Sequence, residues 1–215
     1  MCKMRNSAGL FMIMKPDNAV LLCARRAYDG AAVGDTFLEK ISIPRGHRDC
    51  TDAKIYETAV REFVEETGRF FHSAYMYKFP FTLHWTDATI TYKYSIYVGV
   101  VRGPLANVKF KPNTYSVKLL RSEEVGGNDY RIVLRPRRFN CEISRSLTIV
   151  PLDQYFEYMN SKQLNTYTAS NYSEFFDFVR RVKRLFDNKQ LDDFFHASLQ
   201  RATPDDVVEQ SRSPR

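Results

Sequence analysis

A chain of 215 residues, 44% of them hydrophobic and 27% charged, can bury a full core and is too apolar for a disordered segment. Lysine and arginine outnumber aspartate and glutamate by 32 to 25, and the resulting charge of +7 favours acidic partners such as phosphates. Cys2, Cys23, Cys50 and Cys141 lack zinc-site or disulfide-scaffold spacing, and no apolar run reaches the ~18 residues of a bilayer span. These features predict reduced thiols, an intracellular protein and no membrane partner.

In chain order, Gly9 to Met14 and Ala19 to Cys23 read as short strands joined by a turn at Lys15-Pro16-Asp17-Asn18. No small-residue cleavage pattern follows the first run, so it reads as a strand and not as a signal core. Ile41 to Ile43 is a further strand, predicted to stop at Pro44-Arg45-Gly46. Between Asp52 and Thr67, Ile55, Tyr56, Ala59, Val60, Phe63 and Val64 recur at helical spacing, and Gly68 supplies a stop. Phe79 to Val101 is rich in aromatic and β-branched residues and predicts one long strand or two paired ones.

Arg131, Arg135, Arg137, Arg138 and Arg145 form a basic run against one acid, Glu142; the run reads as a phosphate-attracting patch, or equally as a solvated surface. Leu147 to Val150 predicts a strand and Leu152 to Met159 a short helix. From Asn171 to Phe186, Phe175, Val179, Val182 and Phe186 mark an amphipathic helix. Its basic residues Arg180, Arg181, Lys183 and Arg184 fit a solvated face as well as a nucleic-acid surface. Residues 1–201 are therefore read as a single domain including C-terminal helices, and the polar stretch 202–215 as a disordered tail.

The chemistry concentrates in Gly46 to Gly68, GHRDCTDAKIYETAVREFVEETG. At about 100° per residue, Glu62, Glu65 and Glu66 fall within roughly 100° of one another on the helix. Carboxylates this close repel and raise one another's pKa unless a cation offsets them. An all-oxygen set suits Mg²⁺ or Mn²⁺, which polarises phosphate oxygens and promotes ionisation of water. Arg61, four residues before Glu65, is placed to orient it. The plainer alternative is a solvated acidic helix face.

The octet REFVEETG resembles the core of the Nudix box, G-x5-E-x7-R-E-U-x-E-E-x-G-U with U apolar. The resemblance implies an α/β/α sandwich with a mixed sheet, here with an added C-terminal helical segment. It also implies Glu62, Glu65 and Glu66 as metal ligands, with the Gly46 backbone assisting and Glu65 and Glu66 central to catalysis. Two departures stand out: one extra residue lies between Gly46 and Arg61, so that Asp52 takes the place of the first glutamate, and Arg69 replaces the final apolar residue. Glu142, just before a predicted strand, resembles the late glutamate that many Nudix enzymes use as metal ligand or general base; Glu123 and Glu124 are the alternatives.

Across its length the chain is similar to baculovirus Nudix proteins described as ADP-ribose pyrophosphatases, and Pro44-Arg45-Gly46 with REFVEETG is similar to viral mRNA-decapping Nudix enzymes. The first likeness implies hydrolysis of ADP-ribose to AMP and ribose 5-phosphate in the host cytoplasm. The second implies capped RNA as a partner, with Trp85, Tyr92, Tyr94 and Tyr97 as stacking faces, although aromatics alternating along a strand are more often core. Arg25, Arg45, Arg135, Arg137 and Arg138 are the candidate substrate-binding residues. A binding module without turnover is the non-enzymatic alternative, against which the complete glutamate set argues.

Overall fold

The computed structural model describes residues 3–24, 40–50, 52–71, 73–87, 89–101, 103–107, 115–121, 129–136, 145–160 and 172–199. The chain opens with β1 (Lys3–Met14), β2 (Asn18–Ala24), β3 (Lys40–Ser42), β4 (Arg45–His47), α1 (Ile55–Thr67), β5 (Arg69–Phe70) and β6 (Ser73–Tyr77). There follow β7 (Phe81–Asp87), β8 (Ile90–Val101), β9 (Ala106–Asn107), β10 (Tyr115–Arg121) and β11 (Asp129–Pro136). The last elements are β12 (Arg145–Pro151), α2 (Leu152–Tyr158), α3 (Tyr172–Asp187) and β13 (Phe194–Leu199).

The spine is the parallel pair of β1 and β8, in register from Lys3↔Ile90 to Met14↔Val101. Covered on both faces, their central stretches are apolar at successive positions, as buried parallel strands should be. Phe11, Ile13, Ile96, Val98 and Val100 face α2 and α3, whereas Leu10, Met12, Tyr97 and Val101 face α1. Two cores on opposite faces of one mixed sheet make the α/β/α sandwich. Pairing runs β10-β11-β13-β6-β8-β1-β2-β12, with β3 on β2, β4 on β1 and β7 on β8; β5 and β9 form a separate pair.

The first turn lies as anticipated between β1 and β2, and Phe79 to Val101 resolves into the antiparallel pair β7 and β8. The strand predicted to stop at Pro44-Arg45-Gly46 instead changes partner there. β3 pairs with β2, and after Ile43-Pro44 the chain stays extended as β4 and pairs with β1. Proline removes one N–H from the ladder without bending the chain out of the extended region, so the strand is interrupted but not ended.

The helix begins at Ile55, three residues later than Asp52, because Lys54 is extended and Glu57 reaches back to accept from the Ala53 N–H at 2.9 Å. Gly68, at φ 58°, closes its other end with an N–H to the Val64 carbonyl, the left-handed cap that glycine accommodates best.

α3 buries Phe175, Val179, Val182 and Phe186, the predicted stripe. Its cations serve packing: Arg180 lies over the Phe156 ring, Arg181 over Phe178, and Lys183 bridges Asp17 and Asp187. The C-terminal part is not only helical. After α3 the chain re-enters the sheet as β13, parallel to β11 and antiparallel to β6. The predicted tail, 202–215, lies outside the described residues.

Phe175 is fully buried between Phe11 and Phe81, each 5.5 Å away between ring centroids. Phe175→Ala is expected to cost about 3–5 kcal/mol of unfolding free energy, measured by urea denaturation, because the ring's contacts are lost and the site collapses only partly.

Candidate active site

The acidic end of α1 is organised around a buried guanidinium. Arg61 Nε lies 3.2 Å from both carboxylate oxygens of Asp52, and Nη2 donates to Asp52 Oδ2 at 2.9 Å and to the His47 carbonyl at 3.0 Å. Its Nη1 donates to Glu62 Oε1 at 2.6 Å and to Glu65 Oε2 at 3.1 Å. Burial opposes the charge, but hydrogen bonding to Asp52 and the nearby Glu62 and Glu65 outweigh it, and the guanidinium is held more firmly protonated than in water. Asp52 also accepts from the Asp49 N–H at 3.1 Å and from Thr58 Oγ1 at 2.9 Å. The aspartate in the place of the family's first glutamate is therefore the principal partner of Arg61, and the extra residue lies after it, between Asp52 and Arg61.

Two strands supply the remaining restraints. Among the described strands β4 pairs only with β1 and β10 only with β11, which leaves one edge of each open. From those strands the Arg45 N–H donates to Glu66 Oε2 and the Val117 N–H to Glu65 Oε1, each at 3.0 Å. Gly46 lies so close to Glu62 that a Cβ there would stand 2.2 Å from the carboxyl carbon; close approach, not an unusual φ, makes glycine the residue that fits.

The structure thus brings together Gly46, Glu62, Glu65 and Glu66, together with the main chain of Arg45. Glu65 and Glu66 are buried and Glu62 nearly so. Among the described residues no three histidine, cysteine, aspartate or glutamate side chains converge into an ion-sized group; Glu62 and Glu65 instead share one guanidinium nitrogen. The Arg45 guanidinium lies over the Tyr94 ring, 5.1 Å from its centroid. Tyr94 and Tyr97 are core residues, and Tyr92 is half-buried.

The described arginines of the basic run do not share one strand. Arg131 and the exposed Arg135 lie on β11, while Arg145 lies on β12, six places further along the pairing order. Arg25, Glu123, Glu124, Arg137, Arg138 and Glu142 lie outside the described residues. Sequence reasoning missed the Val117 amide, since a main-chain donor carries no residue-type signature. It also missed Tyr115, whose hydroxyl donates to the Val64 carbonyl and which reads in sequence as an ordinary strand aromatic.

Residues 3–137, more than half of the chain, match the NUDIX domain, and the protein belongs to the Nudix family as a Nudix hydrolase. It is 70% identical over 207 residues to the protein ADP-ribose pyrophosphatase ORF38 of Autographa californica nuclear polyhedrosis virus, covering 94% of this chain and 95% of that one. It is also 84% identical over 205 residues to an uncharacterized 24.3 kDa protein of Orgyia pseudotsugata multicapsid polyhedrosis virus, covering 95% and 97%. Among solved structures, a Nudix hydrolase from Nitrosomonas europaea aligns with a TM-score of 0.42 at 19% identity, over 75% of this chain and 81% of that one. No helix among the described residues is long and apolar enough to cross a membrane.

Asp52→Ala leaves Arg61 only the Glu62 and Glu65 carboxylates and takes the shared acceptor from its guanidinium, the Asp49 N–H and the Thr58 hydroxyl, so it is expected to lower stability by about 3–5 kcal/mol in denaturant titration. Gly46→Ala should instead displace the Glu62 carboxyl, a side-chain end that can move, at a cost of about 1–3 kcal/mol. Equal losses for the two variants would contradict this ranking.

Proposed function

We propose that this chain cleaves the phosphoanhydride of a nucleoside diphosphate joined to a second group, and that ADP-ribose is the substrate. The observation that carries the reading is the 70% identity, over nearly the whole chain, to a protein named ADP-ribose pyrophosphatase. Water attacks one phosphorus while the other phosphate leaves, so the products are AMP and ribose 5-phosphate. Nudix hydrolases generally use divalent metal ions, and Glu62, Glu65 and Glu66 are the residues that would hold Mg²⁺ or Mn²⁺ here.

The donor set supports this assignment. It consists of carboxylate oxygens, the ligands of hard cations, and an oxygen accepting one hydrogen bond keeps a further lone pair. When bound, such an ion supplies Lewis-acid polarisation of phosphate oxygens and a lowered pKa for water. The chain's own part is to hold the carboxylates against mutual repulsion: Arg61 holds Glu62 and Glu65, the Arg45 amide holds Glu66 and the Val117 amide holds Glu65. Arg45, steadied over Tyr94, is the described candidate for binding substrate phosphate, with Arg25, Arg135, Arg137 and Arg138 as further candidates. Glu142 is the proposed general base.

The decisive experiment offers ADP-ribose, dinucleoside polyphosphates and cap-labelled RNA in parallel with Mg²⁺ or Mn²⁺ and identifies the products. ADP-ribose is expected to give AMP and ribose 5-phosphate, with chelator abolishing turnover. Release of a methylguanosine diphosphate from RNA, with ADP-ribose left intact, would replace this reading by decapping; metal-independent binding without product would replace it by a binding module.

Glu65→Gln keeps the shape of the side chain but loses its charge, and its turnover should fall by more than roughly 100-fold, beyond the usual range for residues that only support a ligand. Glu142→Gln should lose roughly 10²- to 10⁴-fold in kcat, the range for a general base. Near-normal turnover there would transfer the role to Glu123 or Glu124.

A further inference from the structure

Tyr115 reaches α1 through its hydroxyl. The residue is fully buried at the start of β10, and burial, with Glu65 adding to it, pushes its pKa above the ordinary tyrosine value, so it stays a neutral donor. It donates to the Val64 carbonyl at 2.5 Å. That carbonyl already accepts from the Gly68 N–H at 3.0 Å, which closes the helix without help. Phenylalanine would fill nearly the same space and leave no buried carbonyl unsatisfied. The hydroxyl therefore adds a restraint on Val64 beyond the bond that caps the helix.

Two residues further along the same strand, the Val117 N–H donates to Glu65 Oε1. One strand thus grips two consecutive residues of α1, Val64 by its carbonyl and Glu65 by its carboxylate. Two attachments a residue apart define how the last turn of the helix is rotated against the β10 edge, which one alone cannot. With Arg61 on Oε2, each oxygen of Glu65 already has a donor before any ligand arrives.

We propose that Tyr115 is a positioning residue for Glu65, acting through the Val64 carbonyl to fix the last turn of α1 on β10 and so preset the carboxylate for a divalent cation. The inference rests on the reading of Glu65 as a metal ligand. Outer partners that orient a metal ligand typically contribute 10- to 100-fold to metal affinity.

The test is calorimetric titration of Mn²⁺ alone into the full chain, with no substrate present, alongside thermal unfolding of the metal-free proteins. Tyr115→Phe is compared with Tyr56→Phe, which also removes one hydroxyl bond from α1, that to Tyr130 at 2.6 Å, but on the first turn of the helix, away from Glu65. Tyr115→Phe should bind Mn²⁺ roughly 10-fold more weakly or worse, while Tyr56→Phe binds like the wild type. Adding Tyr115→Phe to Glu65→Gln should weaken binding no further, because the two act through one group. Equal Mn²⁺ affinity in wild type and Tyr115→Phe, or an equal loss in Tyr56→Phe, overturns the inference alone. A wild-type chain that takes up no Mn²⁺ overturns the metal assignment and the inference with it.

Discussion

A single buried guanidinium sets the terms for the rest of this site. Arg61 carries one positive charge into a place with three neighbouring carboxylates, Asp52, Glu62 and Glu65, and its planar fork lets it meet all three and the His47 carbonyl at once. A lysine would bring the charge but not the geometry. Three carboxylates on one guanidinium still leave the cluster net negative, and Glu66 adds to that excess. The arrangement is thus ordered without being neutralised, which is the condition in which a further cation is attracted rather than excluded.

Order of this kind needs more than one helix, because side chains of one helix edge fan outward and can swing. Here two strands, each with an edge that no described strand pairs, approach α1 and donate a main-chain N–H to it, β4 to Glu66 and β10 to Glu65. Open strand edges are ordinarily a liability in a soluble protein. In this fold part of each edge is put to use as a donor, so the same contact satisfies a strand amide and locates a carboxylate. Gly46 belongs to this logic: only a residue without a Cβ lets β4 lie against Glu62 while its neighbour Arg45 reaches Glu66.

The parallel pair of β1 and β8 carries these parts into place. Its two faces are packed by different helices, so α1 sits on a sheet buttressed from behind by α2 and α3. β13 completes this buttress by inserting between β6 and β11, which ties the end of the described chain to the wing that holds β10.

The carboxylate edge and the helix that bears it were legible in the sequence, because helical periodicity is local: the apolar stripe of Ile55 to Val64, the RExxEE spacing and Gly68 all lie within one short window. The first hairpin, the β7 and β8 pair and the stripe of α3 were legible for the same reason. The roles of Asp52, Val117 and Tyr115 were not, and neither was the partner change at Pro44 or the return of β13 to the sheet. Asp52 meets Arg61 across an irregular turn that helical periodicity does not describe, and the others depend on residues far apart in the chain meeting in space, two of them through main-chain atoms that carry no residue-type signature. The basic run shows the converse: Arg135 and Arg145, ten residues apart in sequence, lie on strands six places apart in the pairing order. The sequence by itself determined which side chains could do chemistry and on which helix edge they lie; only the tertiary structure decided what holds them, because that depends on which strand edges reach the helix.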